Sequence, residues 1–150
     1  MILLQFGCGS NRLDGWQNYD ADLELNNLPL PFPNDHADVI FGEHIFEHFS
    51  PSHFLRLMDE CRRILKPGGT LRVCMPVIER LGVEHGRDIS FGHGHGGIYT
   101  ETSIFHILRL AGFDMEKIIK TGRKEIDGHW RAIGTAKDDL ETLRMEAQKF

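Results

Sequence analysis

The chain contains little cysteine, and its cysteines are not grouped. Cys8, Cys61 and Cys74 lie in three separate apolar settings. No pair has the Cys-x-x-Cys spacing of thiolate zinc sites, which speaks against both a disulfide framework and a cysteine metal centre. Because the sequence also shows no basic-then-apolar leader, we expect a protein of the reducing cytoplasm.

Long apolar runs and an excess of basic charge are missing as well. No stretch approaches the roughly 18 consecutive apolar residues that predict a membrane-spanning helix. The formal net charge of −5 argues against a broad surface for nucleic acid or anionic lipid. We therefore expect neither a membrane nor a nucleic-acid partner. A length of 150 residues with 41% hydrophobic content predicts one ordinary globular core.

The pattern of predicted elements is typical of an α/β domain: strand, turn, strand, loop, strand, helix, strand, long loop, helix, strand, strand, helix. We expect that domain to span residues 1–136, with a closing amphipathic helix of the same domain over 137–150. The central helix begins at Ser50-Pro51, a cap followed by proline, and ends at 66–69, where Lys-Pro-Gly-Gly cannot continue it.

The carboxyl-terminal part predicts a pair of strands followed by that closing helix. Residues 113–120 and 129–136 flank a glycine-bounded turn and predict the strands. The apolar residues of the tail recur at helical spacing, and they are Leu140, Leu143, Ala147 and Phe150. Such a helix packs either on the core or on a second subunit, so a homodimer is an open alternative.

The opening strand is the first functional indication. The apolar run at residues 2–6 breaks into Gly7-Cys8-Gly9, the form of a buried strand that opens onto a binding loop. Glycines at the carboxyl end of a strand let a ligand approach backbone N–H groups without a Cβ in the way.

Seven segments in order resemble the class I S-adenosylmethionine-dependent methyltransferases, especially the small, Methyltransferase type 11-like group with an LPFP segment and an LKPGG turn. These segments are residues 4–9, 15–20, 30–33, 37–40, 44–48, 63–69 and 111–113. The resemblance implies a reduced Rossmann-like fold, a mostly parallel sheet with an antiparallel terminal strand, and S-adenosylmethionine as cofactor at the carboxyl ends of the strands.

The resemblance also implies a set of binding residues. The cofactor is expected against Phe6, Gly7, Cys8, Gly9, Asp20, Asp22, Leu23 and Glu43. Asp20 resembles the acid that accepts hydrogen bonds from both ribose hydroxyls, a role that suits a carboxylate because charge-assisted bonds are strong. Asp22 and Leu23 resemble the pair that meets the adenine.

The sequence departs from the family between its first two strands. Ten residues separate Gly9 from Asp20, too few for the usual helix and the second strand, and the segment from Asp20 to Pro31 is also short. We therefore expect the first crossover helix to be lost. The resulting open site suits a large acceptor or a homodimer.

Two residues after the third strand are candidates for the chemistry. His44 is the base candidate because the unperturbed pKa of histidine lies near neutrality, and Glu43 is expected to line the sulfonium side. The function that follows is methyl transfer to an unknown acceptor, with O-methylation of a sugar, glycan or small metabolite preferred. A non-catalytic cofactor-binding or scaffold subunit is the alternative.

A rival interpretation comes from His44, Glu47 and His48, which match H-x-x-E-H, an inverted zinc-peptidase motif. That motif requires a long helix, whereas Ser50-Pro51 follows directly. The loop 76–99 also carries His85, His93 and His95, and it is interpreted either as a lid over the acceptor or as a glycine-rich connector. Its His-x-His is a weak zinc pattern, so no metal site is predicted.

Overall fold

A six-stranded mixed sheet forms the centre of the protein in a computed structural model, which describes residues 1–78, 94–120 and 142–150. The strands are β1 (Leu3–Phe6), β2 (Gln17–Tyr19), β3 (Ala37–Glu43), β4 (Leu65–Pro76), β5 (Ile119–Lys120) and β6 (Thr142–Gln148). They lie in the order β2-β1-β3-β4-β6-β5. The predicted α/β class is confirmed.

The sheet is parallel on one side and antiparallel on the other. Strands β2, β1, β3 and β4 run parallel, whereas β6 pairs antiparallel with both β4 and β5. From β1 the chain passes to β2 on one side and then to β3 on the other. The order of strands therefore reverses at the carboxyl end of β1, the position where open α/β sheets bind ligands.

The first crossover lacks a helix, as predicted. Residues 7–16 form only turns and irregular backbone, and residues 20–36 contain neither helix nor strand. The LPFP segment is held instead by α1 (Pro51–Ile64). Arg63 donates to the carbonyls of Phe32 at 2.8 Å and Leu30 at 3.2 Å, while Glu60 accepts the Leu30 N–H at 2.9 Å. The Arg63–Glu60 pair thus anchors the LPFP segment to α1 in a connection that contains neither helix nor strand.

Both helices begin at a side-chain cap, and α1 begins at Ser50-Pro51 as the sequence predicts. Ser50 caps α1 by accepting the His53 N–H at 3.4 Å, with Pro51 in the first turn. Thr100 and Ser103 form a reciprocal capping box at the start of α2 (Glu101–Leu110). The sheet-facing stripe of α1 is buried, and it consists of Phe54, Leu57, Met58, Cys61 and Ile64. Burying this face ties the helix to the sheet, since each large apolar side chain contributes about 1.5–3 kcal/mol.

The predicted closing helix is wrong over residues 142–148, which form β6 inside the sheet. Leu143, Met145 and Ala147 alternate with polar residues and are buried, a period of two that competes with the helical spacing predicted for the tail. Arg72 of β4 pairs with Glu146 at 2.7 Å across the strands. Sheet pairing outweighed helix propensity here.

Three further sequence predictions can be compared with the structure. Of the predicted strand 113–120, only residues 119–120 form a strand, the short β5 that pairs with β6, because Met115–Lys117 forms a 3-10 turn. The predicted strand 129–136 lies outside the described residues. The helical-tail argument for a homodimer is lost with the helix, and dimerisation stays a prediction. In residues 1–78, 94–120 and 142–150, no helix is long and apolar enough to cross a bilayer.

Candidate functional site

The turn after β1 is made of exposed backbone. Gly7 and Gly9 have positive φ angles of 66° and 49°, which favour glycine. A Cβ on Gly7 would lie 2.7 Å from two atoms of the Ile45 side chain, whereas one on Gly9 would meet open space. The Cys8 side chain is buried, and its N–H donates to the Tyr19 carbonyl at 3.0 Å. The turn therefore offers bare main chain to the space above the sheet.

Asp20 lies beside this turn because β1 and β2 are neighbours in the sheet. Its Oδ1 accepts the Gly9 N–H at 3.2 Å, and its side chain is exposed to solvent. The Asp20 N–H donates to Asp22 Oδ1 at 2.8 Å, and the Asp20 carbonyl accepts the Leu23 N–H at 3.1 Å. This tight turn fixes the carboxylate at the rim of the strand ends.

A cleft of about 460 Å³ opens over these residues. Its lining consists of Gly7, Asp20, Ala21, Leu23, Glu24, Leu25, Asn26, Ile45 and Phe49. The structure therefore brings together three residues that the sequence predicts for the cofactor: Gly7, Asp20 and Leu23. Its size is within the range typical of small-molecule sites.

The other predicted cofactor residues lie around the cleft without lining it. Phe6 and Cys8 bury their side chains, so they can offer a ligand only backbone atoms. The Asp22 carboxylate is used within its own turn. Glu43 Oε1 accepts the Cys74 S–H of β4 at 3.5 Å, and burial raises the pKa of that thiol, which keeps it a donor.

Sequence reasoning missed the far wall of the cleft, which Ile45 and Phe49 form together with residues 24–26. The apolar positions of the segment 44–49 contained the signal, because a half-buried Ile45 and a buried Phe49 flank polar residues directly after a strand. Without the register of β3 against β1, that segment could not be assigned to the same cleft.

His44 occupies a left-handed backbone conformation at the end of β3. Its φ is 51°, uncommon for a residue with a side chain, and its N–H donates to the Cys74 carbonyl at 2.9 Å. The imidazole Nδ1 lies 3.3 Å from Glu47 Oε1, and the two side chains are 39% and 3% exposed. A buried carboxylate beside an exposed imidazole is the arrangement of a base and the group that orients it.

The helix required by the zinc-peptidase motif is absent from the segment 44–50, which the structure describes in full. His44 lies outside any helix, and Phe46–His48 forms a single 3-10 turn before Ser50. The two histidines of H-x-x-E-H therefore do not share one face of an α-helix. That interpretation is wrong in its geometry, because proline at the start of α1 ends the turn at once.

The segment before α2 packs against this turn. Tyr99 Oη donates to the Phe49 carbonyl at 2.6 Å, and the Gly96 N–H donates to the Glu47 carbonyl at 2.9 Å. His95 is brought beside His48, with ring centroids 5.1 Å apart. The other loop histidines of the sequence prediction, His85 and His93, lie outside the described residues.

Known proteins that resemble this chain in sequence are methyltransferases. Residues 10–73 match the sequence profile of the family described as Methyltransferase domain. A probable S-adenosylmethionine-dependent methyltransferase of Mycolicibacterium smegmatis is 30% identical over 97 residues, which are 64% of this chain. Over these residues the chain is similar to the S-adenosylmethionine-dependent methyltransferases. It spans only about a third of that relative, 36% of its length.

Solved methyltransferase structures share the fold. A methyltransferase from Mesorhizobium loti superposes with a TM-score of 0.64 at 14% identity, covering 99% of this chain and 90% of that one. Human N-acetylserotonin methyltransferase, solved with its cofactor, gives 0.67 at 14% identity over 99% of this chain and 47% of that one. An O-methyltransferase family protein from Burkholderia thailandensis gives 0.67 at 13% identity, covering 99% and 50%.

Proposed function

We propose that this methyltransferase chain transfers a methyl group from S-adenosylmethionine to an oxygen atom of a sugar or another small hydroxylated metabolite. The observation that carries the proposal is a juxtaposition. The glycine turn and Asp20 lie on one side of the cleft, and the His44–Glu47 pair follows the neighbouring strand. The candidate cofactor-binding and proton-accepting groups thus follow adjacent parallel strands at the same edge of the sheet, with His44 and Glu47 outside the lining of the cleft.

The residues on the first side fit the cofactor. Any Cβ on Gly7 would collide with Ile45, so the close packing there depends on a bare glycine. Asp20 presents an exposed carboxylate for the ribose hydroxyls, and Leu23 and Leu25 supply an apolar wall for the adenine. When bound, S-adenosylmethionine supplies a methyl group on a cationic sulfur, from which an aligned nucleophile displaces it.

The His44–Glu47 pair accounts for the preference for oxygen. A hydroxyl acceptor must lose its proton as it attacks, and histidine is suited to take that proton near neutral pH. Glu47 favours the His44 tautomer with hydrogen on Nδ1, in which Nε2 carries the lone pair that can accept a proton.

Calorimetric titration with S-adenosylhomocysteine tests the cofactor side. We expect Asp20→Asn to raise the Kd about tenfold or more, because a charge-assisted bond to the ribose becomes a neutral one. Asp14→Asn is the matched control, since Asp14 is an exposed acid in the turn before Gly15 that does not line the cleft. Equal affinity in the two variants would refute the role of Asp20.

A methylation assay on the same protein, added to the titration, distinguishes an enzyme from a non-catalytic subunit. A chain that binds S-adenosylhomocysteine with an Asp20-dependent Kd but methylates none of a panel of sugars and hydroxylated metabolites favours the scaffold. A chain that binds and turns over supports the enzyme. Gel filtration of the same sample tests the predicted homodimer.

A further inference from the structure

Three metal-binding side chains meet where the segment before α2 packs on the turn after β3. Glu47 and His48 come from that turn, and His95 comes from residues 94–100. Each offers one ligand atom, and the three atoms lie within 4.8 Å of one another. The residues are separated by almost fifty positions in the sequence, so the fold has to bring them together.

The Glu47 carboxylate is the unusual member of this cluster. Glu47 is 2% exposed, and its Oε2 is buried with no hydrogen-bond partner among the described residues. Its other oxygen, Oε1, lies 3.3 Å from His44 Nδ1. A buried carboxylate oxygen without a partner is costly, and a bound cation removes that cost.

The two imidazoles complete a donor set that suits zinc. His48 Nδ1 lies 3.4 Å from the Gly94 carbonyl, a position from which an Nδ1–H points to a backbone oxygen and leaves Nε2 for a metal. Two histidines and one carboxylate are the protein ligands of many zinc sites that keep a fourth position open. Tetrahedral ligands of zinc lie about 3.3 Å apart, so zinc binding requires the exposed His48 and the half-buried His95 to rotate towards Glu47.

The backbone holds the two segments together before any metal binds. The Gly96 N–H donates to the Glu47 carbonyl at 2.9 Å. A Cβ on Gly96 would lie only 2.4 Å from the His48 carbonyl oxygen, so the approach depends on glycine. The ligands are therefore presented by a preformed contact between two segments.

We propose that Glu47, His48 and His95 form a zinc site that fastens the segment 94–100 to the turn after β3. The site differs from the H-x-x-E-H interpretation in both ligands and geometry, because His95 replaces His44 and the carboxylate is a ligand. It lies next to the cleft, whose wall includes Ile45 and Phe49 on either side of Glu47 and His48. Its fourth position is open to water or to an oxygen ligand.

Zinc titration of the full chain, after treatment with a chelator, tests the site. Wild type is expected to bind one equivalent, and His48→Ala and His95→Ala to weaken binding about 100-fold. His106→Ala is the control, since His106 is exposed on α2 and outside the cluster. No binding by wild type at about 100 μM zinc, or unchanged affinity in either His48→Ala or His95→Ala, overturns the proposal.

X-ray absorption of zinc-loaded wild type provides a test that needs no variant. The expected shell has two imidazole nitrogens at about 2.0 Å, oxygen ligands and no sulfur. A sulfur shell contradicts the assignment, because it requires cysteines that are buried in this fold. Zinc should also raise the thermal midpoint of wild type and His106→Ala but not of His95→Ala.

The metal site and the cofactor site can be tested independently, although Glu47 also contacts the proposed base His44. His95 does not line the cleft, so His95→Ala is expected to keep the wild-type Kd for S-adenosylhomocysteine. Loss of zinc with intact cofactor binding supports a separate metal site. Loss of both in His95→Ala contradicts it, provided that circular dichroism shows the variant to be folded.

Discussion

The two sides of the sheet's carboxyl edge are built differently. The side that follows β1 and β2 consists mainly of backbone, namely the Gly7–Gly9 turn and the tight turn that holds Asp20. The side that follows β3 consists of side chains, with Glu47 contacting His44 and gathering His48 and His95 around it. A short local sequence specifies the first side, whereas the second requires segments that are far apart in the chain.

The difference between a backbone side and a side-chain side corresponds to a division between cofactor binding and proton or metal chemistry. A backbone cradle can hold a common cofactor without the first crossover helix, while Arg63 and Glu60 support the LPFP segment between β2 and β3. Groups that take protons or bind metals need defined partners and depths of burial. We therefore expect substitutions on the first side to affect affinity and stability, and substitutions on the second to affect turnover.

The sharpest test of that separation is His44→Gln. It should lower kcat roughly 10²- to 10⁴-fold, the usual contribution of a general base, and leave the Kd for S-adenosylhomocysteine unchanged. The measurement is formation of S-adenosylhomocysteine from a hydroxylated acceptor across pH, with His106→Ala as control. If His44→Gln weakens cofactor binding and keeps kcat, then His44 contributes to binding and not to proton transfer, and the division between the two sides is refuted.

Gly7→Ala and Gly9→Ala form a matched pair on the first side. Both place a Cβ at positive φ, which costs about 1–2 kcal/mol. Only Gly7→Ala adds a collision with Ile45, at 2.7 Å, for roughly 1–3 kcal/mol more. Urea unfolding should therefore show Gly7→Ala as the less stable variant by that difference. Equal losses would mean that Ile45 moves aside freely and that the turn does not depend on the far wall.

The sequence predicted features that depend on neighbouring residues better than features that depend on contacts between distant segments. The strand before Gly7, the cap at Ser50, the lost crossover and the position of Asp20 at the end of β2 all depend on local patterns, and the structure agrees with these expectations. The turn chemistry of those residues is decided within a few positions of the chain.

The wrong or missing sequence predictions concern segments whose contacting residues are distant in sequence. The tail 142–148 carries a helical and a two-residue apolar period at once, and pairing with β4 decided for the strand. The contact of His95 with the turn after β3 depends on a loop closure that no spacing in the sequence reveals. The far wall of the cleft at Ile45 and Phe49 was missed for the same reason.

The smallest expected effect concerns the support of the first side. Hydrogen bonds from Arg63 and from the Leu30 N–H hold the pKa of Glu60 below its ordinary value, although burial opposes them. Because the folded-state pKa is the lower one, this stabilisation is complete above the ordinary glutamate pKa of about 4.3 and disappears as the pH falls through the lowered value. Glu60→Gln should lower the free energy of unfolding by about 1 kcal/mol at pH 7.

The pH dependence distinguishes this support from a general charge effect. The stability difference between wild type and Glu60→Gln should shrink as the pH is lowered from 7 towards 3, since protonation removes in wild type the charge that the substitution removes permanently. Asp59→Asn is the control, because Asp59 pairs with Arg62 at 3.6 Å in the same helix but is 66% exposed. A difference of the same size for both variants at all pH values would show that Glu60 only adds surface charge, and the open edge of the sheet would then need another source of support.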